Sequence, residues 1–148
     1  MYIATLIKIF DRDLSKLEKE LSLYSDEKNL WELPSGINNT AGNLVLHIVG
    51  NLNHFIGAIL GNTGYIRERD MEFSQRHIPC TAILKQIQDT KNMVASVLEN
   101  LSNTDLEKRY PIDVFREPMR TEYFLTHLTT HLSYHLGQIN YHRRLLDE

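Results

Sequence analysis

An all-α fold, a four-helix bundle with long connections between helices, is what this sequence predicts. Four long stretches carry apolar residues at mixed steps of three and four, the period of a helix with one buried face. No series of alternating apolar and polar residues announces strands, and no segment repeats. At 148 residues the chain fits one domain, residues 1–148, with enough bulk to bury a core without disulfides or a structural metal.

The first stretch runs from residue 2 to about residue 24, with Ile3, Leu6, Ile7, Phe10, Leu14, Leu17 and Leu21 on one stripe and most charges off it. Ser25 to Gly36 then breaks the pattern, Pro34-Ser35-Gly36 being the clearest loop signal. A second helix is expected from about Asn39 to Leu60, capped by Asn39 or Thr40. Between Leu33 and Ile66 there is no Asp, Glu, Lys or Arg, so this helix is expected to be buried on more than one side. Its second arc, Asn43, His47, Gly50, Asn51, His54, Gly57 and Ala58, is small and polar, fit for a close neighbour or a ligand. A partner subunit is the expected cover for the other side. Membrane insertion is disfavoured because His47, Asn51, Asn53 and His54 interrupt the apolar run well short of about 20 residues.

Gly61 to Ile78 is a polar connection too long for a simple turn, which points to a lid or a packed surface loop. Pro79 opens the third helix, whose stripe runs from Ile83 to Leu101. Asp105 to Tyr110 is expected to form one further turn, and Ile112 to Phe115 a short extended piece. The fourth helix starts near Arg120 or Thr121 and continues to about Leu146.

Bulk properties exclude some functions. Basic residues are few and scattered, and the net charge is 16 − 19 = −3, so no nucleic-acid partner is expected. The single cysteine, Cys80, cannot form an internal disulfide and reads as structural. The first residues reach charge too early for a signal peptide, and a cytoplasmic location is expected.

Chemistry concentrates in the fourth helix. His127, His131 and His135 recur every four residues, which stacks their rings along one face. Against the stripe of Leu125, Leu128, Leu132, Leu136, Ile139 and Leu146, His135 lies roughly 40° from centre, His131 roughly 80° and His127 roughly 120°. If one pair binds a metal it is expected to be His131 and His135, while His127 leans towards solvent. A third ligand is sought on the second helix. His47 and His54 both face inward there, about 10 Å apart along the axis, and spacing does not choose between them. His77 falls on a loop, and His142 lies two turns beyond His135.

Thr130-His131-Leu132-Ser133-Tyr134-His135-Leu136-Gly137-Gln138-Ile139 resembles the last-helix signature of the DinB-like family, and Asn43 to Leu52 resembles that family's second helix. Arg67 to Phe73 looks like the loop of a small subgroup of it. The resemblance implies a dimeric four-helix bundle holding a divalent ion, zinc or nickel, on His47, His131 and His135. A family arginine that often follows the last ligand is replaced here by Leu136. The resemblance also implies a homodimer, for which the uncharged second helix is the candidate interface, and a small-molecule substrate, a low-molecular-weight thiol among the candidates.

Three neutral imidazoles leave a divalent ion its full charge and an open position, which acidifies a bound water or thiol. Together with the resemblance, which implies relatives that are thiol-dependent S-transferases, this makes a thiol-dependent S-transferase or a hydrolase the leading expectation. The other is a non-catalytic dimeric protein whose histidines are structural, metal-responsive or vestigial. Asn51, His54, His127 and Gln138 are the expected supporting residues around the ligands, whereas Tyr134 reads as packing. No carboxylate is expected beside the histidines, Glu122 lying on the far face of its helix.

Overall fold

Periodicity becomes helix almost where it is expected. The computed structural model describes residues 2–147. Its long helices are α1 (Tyr2–Ser22), α2 (Ala41–Gly61), α4 (Cys80–Glu99) and α6 (Thr121–Leu146), and the short ones are α3 (Arg69–Ser74) and α5 (Asn103–Glu107). α1 lies against α4 and α6, and α2 lies against the same two helices. Among the described residues there is no strand, only an isolated bridge between Arg109 and Arg120. The short extended piece expected at Ile112 to Phe115 does not form, since that segment bends and turns; the bridge lies on either side of it, where Tyr110 N donates to Met119 O and Thr121 N to Lys108 O.

α1 buries the stripe Leu6, Phe10, Leu14, Leu17 and Leu21, each side chain worth about 1.5–3 kcal/mol on leaving water. Its last turns are tied to the end of α6. Glu20 accepts from Asn140 Nδ2 and Arg143 Nε, and Asp147 accepts from the backbone of Ser25 and Asp26 and from Asn29 Nδ2. His142 belongs to this seam. It is buried, with Nε2 donating to Glu32 O at 2.9 Å and Nδ1 accepting from Tyr24 Oη at 2.7 Å, so its chemistry is spent on packing.

α2 starts where Thr40 Oγ1 accepts from Asn43 N, satisfying a donor that the first helical turn leaves free. Every residue from Ala41 to Leu52 is buried. The uncharged character of this helix follows from cover within its own chain: α3, α4, α6 and the 3-10 turn Glu27–Trp31 all touch it. Ala41–Gly61 is long and apolar enough to cross a membrane, but 61% of its apolar window is buried in this fold. A π-helical segment, Asn53–Ala58, widens the helix two turns after His47. Asn53 Nδ2 reaches back to Val49 O and across to Thr90 Oγ1, and Tyr110 Oη donates to Phe55 O.

Close approach at the start of α2 requires glycine. A Cβ at Gly42 would stand 2.6 Å from the Trp31 ring. Gly42→Ala is therefore expected to lower stability by about 1–3 kcal/mol through overpacking, read as a lower urea midpoint. An unchanged midpoint would show that Trp31 is free to shift.

Candidate metal centre

Three histidines from two helices meet at one point. His47 comes from the α-helical first part of α2, ahead of the π-helical segment. His131 and His135 come from α6, one turn apart on a face whose neighbours Leu128, Leu132 and Ile139 enter the core. His47 Nε2 lies 3.1 Å from His131 Nε2, and His135 Nε2 lies 3.2 Å from His131 Nε2. One ligand atom from each ring falls within 4.8 Å of the other two.

The outer nitrogens fix which inner ones are free. A carboxylate only accepts, so His47 Nδ1–H donates to Glu72 Oε1 at 3.0 Å and leaves the Nε2 lone pair bare. His135 Nδ1–H donates to Gln138 Oε1 at 2.7 Å with the same result. His131 Nε2 faces both bare nitrogens and carries one proton at most, so it can satisfy only one of them. A cation satisfies all three. Nitrogens at about 2.0–2.1 Å around a tetrahedral zinc ion are roughly 3.3 Å apart, close to the 3.1 and 3.2 Å that separate His131 Nε2 from the other two.

Glu72 is the group that sequence reasoning missed. The expectation of no neighbouring carboxylate is corrected: α3 forms within the polar connection and buries Glu72 against His47. Arg67 completes the arrangement, Nε donating to Oε2 at 2.8 Å and Nη2 to Oε1 at 2.9 Å. Asn43 Nδ2 fastens the same element by donating to Glu72 O and Gln75 O. Burial pushes the Glu72 carboxyl up, but Arg67 and His47 together outweigh it and hold it below its ordinary value. Phe73 packs its ring 4.9 Å from that of His47. The one sequence signal was a buried-type aromatic within Arg67 to Phe73, too little to single out Glu72 among its charged neighbours.

The remaining expected residues divide. Gln138 supports His135 directly. His54 lies on the π segment against Phe55 and stands outside the cluster of three, and burial lowers its pKa. His127 is half-buried between Phe115 and Phe124, with its ring 6.4 Å from that of His131. Asn51 is buried one turn after His47, and its Oδ1 has no hydrogen-bond partner among the described residues. Tyr134, expected to pack, is 66% exposed beside His135.

The family model described as "Protein of unknown function (DUF1572)" matches residues 1–148. The chain belongs to DUF1572, a DinB-like family. Its fold is similar to the crystal structure of a DinB-like protein from Bacillus cereus ATCC 10987, with a TM-score of 0.69 and 21% identity over 90% of this chain and 85% of that one. At that identity the likeness shows the fold of the DUF1572 chain alone. No curated protein matches the sequence.

Protonation and folding are coupled at this centre. Burial, then the charges of His135, His47, His127 and Arg67, push His131 down to about 3. In the unfolded chain the same ring titrates near its ordinary value of about 6.5. Between those values the unfolded state binds the extra proton, so stability is lost as pH falls through the window. Melting curves of the metal-free protein should show the melting temperature falling between about pH 6.5 and 5, where carboxylates remain ionised, and His131→Leu should flatten that fall. An equal slope in the variant would contradict the assignment.

Proposed function

We propose that this chain is a four-helix-bundle metalloprotein that binds one divalent ion, zinc or nickel, through His47, His131 and His135. The observation that carries this reading is the convergence of the three Nε2 atoms, two of them stripped of protons by Glu72 and Gln138. Imidazole donors suit zinc and nickel alike, so the donor set alone does not choose between them. When bound, the ion supplies Lewis acidity at a centre whose three ligands are neutral.

The chain's own residues define what such a centre could be used for. His47 and His135 are held in orientation from behind, so neither has to reorganise to receive a ligand. Phe73 packs on the His47 ring and Phe55, Phe115 and Phe124 gather around His54 and His127, giving the neighbourhood an apolar, aromatic character. Those features favour a small molecule with an apolar body, and we assign a thiol-dependent S-transferase or a hydrolase as the reaction class, acting in the cytoplasm. The thiol half of that assignment rests on the DinB-like resemblance. A homodimer is proposed on the same ground. Since Ala41–Leu52 is covered by its own chain, the part of α2 left to face a partner is its continuation, residues 53–61.

One observation favours a second reading, a metal-responsive protein without turnover. The carboxylate nearest the histidines has both oxygens committed to Arg67 and His47, so it is not poised to move a proton.

Protein purified without a His-tag and dialysed after zinc or nickel addition should retain one ion per chain by elemental analysis, and His131→Ala should retain none. Ion at about a thousand times its dissociation constant should also stabilise the native state by about 4 kcal/mol. Loss of the ion from wild type on dialysis would defeat the metal reading. A tightly held ion with no turnover across thiol and electrophile panels would select the second reading.

A further inference from the structure

The metal reading gives the connection between α2 and α4 no part to play, yet its side chains reach the back of the site. Glu72 is 6% exposed, and its two oxygens accept from His47 Nδ1, Arg67 Nη2 and Arg67 Nε at 3.0, 2.9 and 2.8 Å. The paired N–H groups of one guanidinium fix the plane of the carboxylate as well as its charge. Asn43, one turn before His47, clamps the Glu72 and Gln75 carbonyls and so holds α3 at a set distance from α2.

The fit depends on a missing atom. A Cβ at Gly50 would lie 1.9 Å from Glu72 Oε2 and 2.5 Å from its carboxyl carbon. Gly50 sits inside a helix, where glycine is about 1 kcal/mol less favourable than alanine, and its backbone does not adopt the left-handed conformation that glycine alone tolerates well. The local preference is thus for alanine, and the carboxylate is what opposes it.

We propose that Glu72 is a positioning residue for His47, admitted by the clearance at Gly50 and oriented by Arg67, so that the connection at residues 62–78 sets how tightly the site holds its ion while contributing no ligand. The inference rests on the metal reading. A carboxylate on the outer nitrogen of a ligating histidine fixes the ring's orientation and raises its basicity, and removing such a partner typically weakens metal binding 10–100-fold. Binding is reciprocal: an ion that tightens His47 also stabilises the packing of α3 through the same hydrogen bond.

The test is zinc affinity measured by competition with a chromophoric chelator, on the full untagged chain, with circular dichroism to confirm that each variant is folded. Glu72→Ala should bind zinc about 10–100-fold more weakly. Gly50→Ala should lose a similar factor, because its methyl group displaces the carboxylate. In the Glu72→Ala background, Gly50→Ala should cost nothing further. Glu72→Gln keeps the shape and an acceptor but not the charge, and should fall between wild type and Glu72→Ala, which preserves a test if the change at Gly50 prevents folding. Wild-type affinity in both Glu72→Ala and Glu72→Gln would overturn the proposal, as would an equal loss from Gly50→Ala in both backgrounds. Wild type that takes up no zinc would overturn the metal reading and this inference with it.

Discussion

The hydrogen bond from His47 Nδ1 to Glu72 Oε1 ties together parts of the chain that secondary structure alone leaves separate. On one side stands α2, uncharged and buried through Leu52; on the other stands a connection rich in charge. A buried carboxylate without partners is strongly disfavoured, so Glu72 is tolerated only because Arg67 and His47 meet it. Those partners are themselves constrained: Arg67 by the fork it makes, His47 by its place on α2. The result is a ring whose inner nitrogen has a fixed direction, and that direction is towards α6.

From this constraint the rest of the centre follows. α6 needs only its helical repeat to place two more imidazoles beside the first, and Gln138 fixes His135 as Glu72 fixes His47. The ends of α6 must not drift, and the ties of Glu20, Tyr24, Glu32 and the 25–29 segment to its last turns hold it against the N-terminal third of the chain. Without a cation the three nitrogens face one another with too few protons to go round. The fold therefore stores an arrangement that is better satisfied by an ion than by itself.

Much of this was readable in the residues. The four long helices were visible because their apolar stripes are regular, and Thr40 and Thr121 begin helices where the sequence placed the starts. His131 and His135 were separable from His127 by wheel angle, and His127 lies half-buried against Phe115 and Phe124 while the other two meet His47. His47 and His54 share an angle, so periodicity could not divide them; the resemblance did, and the π segment sets His54 apart. What stayed hidden was contact between distant segments. Glu72 is 25 residues from His47 in a stretch with four other charges, and no periodicity marks which of five charged side chains turns inward. The uncharged second helix was likewise legible as buried but not as buried by its own chain, since composition records burial and not what covers it.

Anomalous diffraction at the zinc edge from a crystal of the zinc-loaded protein addresses the centre most directly. Convergence of His47, His131 and His135 predicts one anomalous peak per chain, about 2.0–2.1 Å from each of the three Nε2 atoms, with Glu72 still on His47 Nδ1. A peak held by other residues, or a zinc ion bound through His54 or His127 in place of His47, would contradict it.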